Sequence, residues 1–270
     1  MKRIGIVGCG TIGRFLAKRI EKEFKESAKV VGLCDIDKKK AEELARTLSG
    51  RVNIFTLKDL IDKADLIIEA ASGSISANIC RKALSKSKDI MVMSIGGILK
   101  DSKRLFALAS RKGAKIILPS GAICGLDGLK SAGASRIDSV TLTTRKPPRG
   151  LKGAPYIVKK KIDLDSIKNE RLIFKGTAHE AVSAFPKNIN VSALLSIAGI
   201  GAKKTKVCII TSPKYKRNVH EVEAKGDFGR LSTRTENLPF SENPKTSFLA
   251  ALSAIATLKE LLNPNFKIGT

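Results

Sequence analysis

The sequence predicts an α/β protein of two domains: an N-terminal doubly wound parallel sheet, then an α+β domain built on a mostly antiparallel, open-faced sheet. Three observations carry this prediction. A short β-branched strand runs straight into Gly8-x-Gly10-x-x-Gly13 and an amphipathic helix. Strand and helix patterns then alternate as far as residue 118, as parallel sheets with crossover helices require. Beyond Gly121 the pattern becomes polar–apolar alternation, the mark of strands with one face open. The expected boundaries are 1–119 for the first domain, 120–243 for the second, and 244–270 for a terminal helix packing back on the first.

The elements follow in order. Ile4 to Val7 is a buried strand, and Ile12, Phe15, Leu16 and Ile20 then recur at helical spacing. Val30 to Cys34 is the second strand; Lys38 to Leu48 and Leu57 to Asp62 are helices. Leu66 to Ala71 is a strand entering the loop Ser72-Gly-Ser74. Ile75 to Leu84 is a helix, Ile90 to Ser94 a strand, Gly96-Gly97 a turn, Leu105 to Arg111 a helix and Lys115 to Leu118 a strand. The second domain opens with a small-residue helix, Ala122 to Ala134. Ser139 to Arg145 alternates as an open-faced strand, and Lys146-Pro-Pro-Arg-Gly150 reads as a breaker-rich loop. Arg171 to Lys175 and Val207 to Thr211 are strands, while Ala178 to Phe185 and Val191 to Gly199 are helices. Val219 to Ala224 and Phe228 to Thr235 form a hairpin around Gly226. Asn243-Pro244 then precedes a long apolar-faced helix, Thr246 to Leu262.

Each glycine of the first motif has a physical task. Gly8 permits the tight turn, Gly10 lets a pyrophosphate approach the backbone, and Gly13 lets helix and strand pack closely. Thr11 and Ile12 open the helix, whose unpaired N–H groups and positive dipole end suit phosphate oxygens. Asp35 ends the second strand about twenty residues further on, where a carboxylate accepts hydrogen bonds from ribose hydroxyls. The competing reading of Asp35 is an acidic helix cap. In this context the first domain is read as a Rossmann-type dinucleotide-binding unit. Asp35 repels the extra phosphate of NADP, while Lys38, Lys39 and Lys40 soften that preference, so NAD or NADP both stand as the expected cofactor. Ligands of such sheets lie at the carboxyl ends of the strands, which brings Ala71, Ser72 and the stretch Ser94 to Gly97 to the cofactor.

Composition narrows the field. Apolar residues make up 43% of 270, enough for a substantial core, and no apolar run approaches the ~20 residues of a membrane span. The start, Met1-Lys2-Arg3, lacks the cleavage site of a signal peptide, and glycines interrupt the apolar run behind it. The expectation is a soluble cytoplasmic protein with no membrane partner. Five scattered cysteines without a C-x-x-C pair, and only two histidines, argue against a disulfide framework or a metal site. The net charge of +25 suggests a polyanion, yet the basic residues are spread along the chain and tryptophan is absent. No dedicated nucleic-acid partner is expected; small anionic substrates suit the charge equally well.

Two stretches of the second domain stand out. On the strand Val219 to Ala224, His220 shares the apolar face with Val222 and Ala224, while Glu221 and Glu223 take the other. His220 is the best candidate for managing a proton as hydride leaves carbon, the alternative being a satisfied core histidine. His179, beside Glu180, reads as a surface residue. In Phe185-Pro-Lys-Asn-Ile-Asn-Val191 a proline turn loaded with amides and a cation leads into an apolar helix. Asn190 reads as the cap of that helix, and Lys187 and Asn188 face an anionic or amide-bearing ligand at its N-terminus.

Taken together these stretches resemble the archaeal and bacterial L-aspartate dehydrogenases over essentially the whole chain. The likeness lies in the Gly8–Gly13 loop, Glu69-Ala-Ala-Ser72, Met93-Ser-Ile-Gly-Gly97, Pro119-Ser-Gly-Ala-Ile-Cys-Gly-Leu-Asp127, Gly176-Thr-Ala-His-Glu-Ala-Val182, the Phe185 block and the His220 hairpin. The resemblance implies NAD- or NADP-dependent oxidative deamination of L-aspartate to iminoaspartate, then oxaloacetate and ammonia, with iminoaspartate available to NAD biosynthesis. It implies that Ala122 and Asn188 contact the nicotinamide end of the cofactor, that His220 is the catalytic acid/base, and that the protein is a homodimer. Lys187 is the candidate for a substrate carboxylate. His179 stands where relatives often carry Arg, and Gly97 where Ala is common. The rival readings are another two-domain reductase, dihydrodipicolinate-reductase-like or homoserine-dehydrogenase-like, and a non-catalytic NAD-responsive regulator that binds nucleic acid.

Overall fold

A computed structural model describes residues 1–186, 189–240, 246–263, 265 and 269. The chain forms two compact units, one made of residues 1–119 with the C-terminal helix from Ala251, the other of residues 120–250.

The first unit is a six-stranded parallel sheet. Its strands are β1 (Lys2–Val7), β2 (Ala28–Cys34), β3 (Asn53–Ile54), β4 (Leu66–Glu69), β5 (Asp89–Val92) and β6 (Ile116–Ile117), in the order β3-β2-β1-β4-β5-β6. The order reverses between β1 and β4, the place where doubly wound sheets open a crevice. The helices are α1 (Thr11–Glu23), α2 (Lys38–Arg46), α3 (Leu57–Lys63), α4 (Gly73–Ser85), α5 (Ile95–Ile98) and α6 (Ser102–Lys112). Ile4, Ile6, Leu16, Ile20, Leu33 and Leu66 form one core, joined by Ala254, Ile255 and Leu258 of the last helix, Phe248–Leu262. Two short elements escape the periodicity argument: β3 has only two residues, and Gly96-Gly97, expected as a turn, lies inside α5. Gly96 is buried there between Ile95 and Ile98.

The second unit carries a five-stranded sheet. Its strands are β7 (Ile137–Lys146), β8 (Arg171–Thr177), β9 (Lys206–Thr211), β10 (Asn218–Gly226) and β11 (Gly229–Asn237), ordered β11-β10-β7-β9-β8. Three of the pairings are antiparallel and one, β7 with β9, is parallel, so the sheet is mixed. Its helices are α7 (Leu126–Ala132), α8 (Pro155–Lys159), α9 (Ala178–Ala184) and α10 (Asn190–Ala198); α11 is the terminal helix Phe248–Leu262. Thr177 and Glu180 form a reciprocal capping box at the start of α9.

Several expectations need correction. The helix expected from Ala122 begins only at Leu126, because Gly121 and Gly125 take left-handed φ values of 68° and 79° and keep the intervening residues irregular. Lys146 is not in a loop but is the last, buried residue of β7. Ile189, not Asn190, occupies the cap position of α10. Asn243 and Pro244 lie outside the described residues.

One face of this second sheet is the core. Val140 and Leu142 of β7 and Val222 and Ala224 of β10 pack with Leu129 and Leu195. Val207 and Ile209 of β9 pack with Phe174, Phe185 and Ile157, where Tyr156, Phe174 and Phe185 have ring centroids 5.4–5.5 Å apart.

At Gly13 the first turn of α1 touches the loop before it: a Cβ there would lie 1.8 Å from the Gly8 carbonyl oxygen. Alanine in a helix interior ordinarily gains about 1 kcal/mol over glycine. Here the clash is with backbone and overrides that gain. Gly13→Ala is expected to destabilise the protein by about 1–3 kcal/mol in urea denaturation; an unchanged or raised midpoint would contradict the packing described.

Candidate active site

At the carboxyl ends of β1, β2 and β4 the first unit opens a cleft of about 440 Å3. Gly8, Gly10, Asp35, Ala71 and Ser72, all singled out from the sequence, line it together with Ile36, Lys40 and Asn78. Gly8 has a φ of 99°, and a Cβ on it would lie 2.5 Å from the Ala70 carbonyl; a Cβ on Gly10 would meet nothing within 4 Å. Thr11 and Ile12 form the first turn of α1, with Ile12 turned to the core. Both helices that start here, α1 after Gly10 and α4 after Ser72, lack a side-chain cap and have no acidic residue in their first turn. Their first N–H groups and positive dipole ends therefore suit anionic oxygens.

Asp35 does more than its motif suggests. Its carboxylate accepts the Cys9 N–H at 2.6 Å and the Asp37 N–H at 2.9 Å, so it braces the glycine turn from the neighbouring strand. The capping role falls to Asp37, which accepts the Lys39 N–H, and Lys40 approaches Asp37 at 3.7 Å. The thiol of Cys9, buried in the turn, is pushed up to about 12 by burial and then by the charge of Asp35.

Glu69, at the end of β4, was visible in the sequence only as part of a motif. It is fully buried. One oxygen accepts the Ala71 N–H at 2.9 Å, and the other accepts the Ser94 N–H and the Ser76 hydroxyl at 3.0 Å. Burial raises its pKa while these donors oppose the rise. The carboxylate thus ties the cleft-lining loop at Ala71 to the loop after β5 and to α4.

In the second unit the buried face of the sheet changes character toward one end. Val140 and Leu142 give way to Thr144 and Lys146 on β7, and Val207 and Ile209 to Thr211 on β9. On β10, read backwards, Ala224 and Val222 give way to His220 and Asn218. Because β7 and β9 are parallel and β10 is antiparallel to β7, these polar residues meet at the same end of the sheet. His220 pairs with Thr144 across strands, and the Thr144 hydroxyl lies 3.0 Å from His220 Nδ1. The imidazole is pushed down to about 3, first by burial and then by the charge of Lys146. Lys146 is itself pushed down to about 8 by burial.

The structure brings Ala122 to the same place. Its carbonyl accepts the Thr235 hydroxyl at 2.9 Å and Asn237 Nδ2 at 3.0 Å, and Thr235 faces His220 across the β10–β11 ladder. Lys187 and Asn188 lie outside the described residues. His179 is exposed on α9. Sequence reasoning passes over Thr144, Lys146 and Asn237. For the first two a signal existed: both continue the period-two face that begins at Val140. Among the described residues no group of His, Cys, Asp and Glu is placed to hold a metal ion, and no helix is long and apolar enough to cross a membrane.

Two family models match the chain: one described as the NAD-binding domain of homoserine dehydrogenase over residues 8–119, and one described as the C-terminal region of aspartate dehydrogenase over residues 127–261. The chain is 48% identical to the L-aspartate dehydrogenase of Methanosarcina acetivorans and 42% identical to that of Nitrosopumilus maritimus, in each case over the full length of both proteins. The solved aspartate dehydrogenase of Thermotoga maritima shares the fold, with a TM-score of 0.74 at 24% identity, covering 100% of this chain and 99% of that one. A myo-inositol dehydrogenase from Lactobacillus casei is a more distant likeness, with a TM-score of 0.56 at 16% identity, covering 100% of this chain and 88% of that one.

The state of His220 has a consequence for stability. An unfolded chain protonates this imidazole near its ordinary 6.5, the folded one only near about 3. Between those values the unfolded state binds the extra proton, so this contribution is complete above about pH 6.5 and is lost as pH falls toward 3. His220→Asn titrates in neither state. Denaturant midpoints measured from pH 7 to pH 4 are expected to fall less steeply in that variant; equal slopes would show that the imidazole is not buried neutral.

Proposed function

The chain belongs to the L-aspartate dehydrogenase family, and we propose that it oxidises L-aspartate with NAD or NADP, His220 serving as the acid/base. What carries the reading is the full-length match to L-aspartate dehydrogenases at 48% identity. The homoserine-type description covers the first unit alone. Overall, L-aspartate, the oxidised dinucleotide and water give oxaloacetate, ammonium, the reduced dinucleotide and a proton.

The cleft of the first unit fits a dinucleotide on three counts. Gly10 leaves open space where a side chain would stand, two uncapped helix ends face the cleft, and Asp35 closes it at the ribose position. When bound, the cofactor supplies the acceptor for the hydride leaving Cα. Gly8, Gly10, Thr11 and Ile12 present backbone to the pyrophosphate while Gly13 lets the helix pack close behind them, Ala71 and Ser72 flank it, and Ala122 and Asn188 serve the nicotinamide end.

The chemistry left to the protein is proton handling. Nδ1 of His220 is engaged by Thr144, which leaves Nε2 to exchange protons with the substrate. A neutral imidazole is the form that can take a proton from water as its oxygen adds to the imine carbon. The same proton then goes to the departing nitrogen, and the imidazole returns to its starting state. Lys187 is assigned to a substrate carboxylate. A cytoplasmic homodimer belongs to the same reading, supported by the family resemblance; sedimentation velocity tests the dimer.

Two measurements test this reading. His220→Ala should keep its affinity for the dinucleotide, read by fluorescence of the reduced form, while kcat with L-aspartate falls about 100-fold or more. Near-normal turnover would remove His220 from the chemistry. Asp35→Ser should shift the ratio of kcat/KM for NADP over NAD upward by about tenfold, since Lys38, Lys39 and Lys40 remain to meet the extra phosphate. An unaltered ratio would place Asp35 in bracing the turn alone.

A further inference from the structure

The stretch from Gly121 to Gly125 belongs to neither helix nor strand, yet Ala122 and Ile123 within it are 4% and 3% exposed. An irregular segment inside a protein has no ladder to fill its carbonyls, so donors must come from elsewhere. Here they come from β11. Strand alternation puts Leu231, Thr233, Thr235 and Asn237 on the inner face of that strand, while the outer face takes Arg234 and Glu236, which pair with each other. The Thr233 hydroxyl donates to the Cys124 carbonyl at 3.4 Å. The Thr235 hydroxyl and Asn237 Nδ2 both donate to the Ala122 carbonyl, at 2.9 and 3.0 Å. Gly125 completes the fit, since a Cβ on it would come 2.7 Å from the Thr233 methyl.

Two features set this tie apart from ordinary packing. Ala122 receives two donors on one carbonyl, where a single one would keep the oxygen from being orphaned. Asn237, 2% exposed, directs its Nδ2 to Ala122 and to Thr235 Oγ1, and its Oδ1 has no hydrogen-bond partner among the described residues. A buried amide with an unfilled acceptor costs stability, and local conflicts of this kind collect at functional positions. Thr235 also faces His220 across the β10–β11 ladder, with its hydroxyl 3.4 Å from the His220 carbonyl. One side chain of β11 thus touches both the backbone that carries His220 and the backbone at Ala122.

We propose that Thr235 and Asn237 are positioning residues for the cofactor: together they hold the Ala122 backbone where it meets the nicotinamide end, in fixed relation to His220. Neither side chain touches cofactor or substrate; each acts through Ala122. The two donors are partly redundant, because removing either leaves the carbonyl with one.

This assignment rests on the part of the proposed function in which Ala122 serves the nicotinamide end, and the experiment separates the two. Isothermal titration calorimetry compares NADH with ADP-ribose, which keeps the adenosine, the pyrophosphate and the second ribose but has no nicotinamide. Thr235→Val and Asn237→Ala are each expected to raise the Kd of NADH by about threefold or less, and the double variant by about tenfold or more, with ADP-ribose within about twofold of wild type throughout. At saturating NAD, kcat with L-aspartate falls in the same order while the KM for L-aspartate stays within about twofold, and Thr235→Ser keeps wild-type behaviour. A wild-type-like urea transition verifies that each variant is folded; Asn237→Leu, which keeps the buried volume, replaces Asn237→Ala where that is not met. A merely structural tie would lower the urea midpoint without separating NADH from ADP-ribose. The assignment fails if the double variant keeps NADH within about twofold, if it weakens ADP-ribose as much as NADH, or if wild type itself binds the two alike. Inactivity of the wild type on L-aspartate overturns the proposed function, while the calorimetric comparison still decides this assignment. An active wild type with unperturbed variants overturns this assignment alone.

Discussion

A β-strand that leaves the core on a polar side chain must supply that side chain with partners before water is reached, and both units are organised by this requirement. In the first, β4 ends on Glu69, whose buried oxygens are filled by two backbone N–H groups and a serine hydroxyl. β2 gives way to Asp35, filled by the N–H groups of Cys9 and Asp37. Satisfying each carboxylate fixes the path of the loops around it, and those loops are the walls of the cleft. In the second unit three strands turn from apolar to polar toward the same end of the sheet, and groups there bond one another: Thr144 with His220, and Thr211 with the backbone of Lys146, while Asn237 of β11 donates to the Ala122 carbonyl.

The first site is legible in the sequence because its signal is local. A glycine spacing, a strand before it, a helix after it and an acid at the end of the next strand lie within 35 residues of one another. The parity of β10 likewise assigns His220 to the buried face from residue order alone. The remainder depends on register, which no single strand encodes. That Thr144 stands opposite His220, and Lys146 opposite Thr211, follows from β7 pairing parallel with β9 and antiparallel with β10, and the hydrophobic pattern is the same for either direction. Asn237 reaches Ala122 across 115 positions of chain. Lys146 is hidden by the prolines behind it, which mark a loop so strongly that the last residue of the strand is drawn into it. The late start of α7 has a similar cause: two left-handed glycines interrupt a stretch of small and apolar side chains that reads as continuous with the helix behind it.

The charge of +25 remains distributed rather than focused. On the face of the second sheet opposite His220, Arg145, Glu221, Arg234 and Glu236 form a chain of ion pairs. Exposed pairs of this kind are screened by water, so they set the surface character of the sheet more than its stability. Nothing among the described residues accounts for the excess of lysine and arginine.

The sulfur of Cys9 sits within the glycine turn, yet it is held as a neutral thiol far above physiological pH. Oxidants and alkylating reagents attack the thiolate, and this one is scarce as well as enclosed. Cys124, by contrast, is exposed. Burial and the charge of Asp35 thus protect the glycine turn from thiol chemistry at its own cysteine.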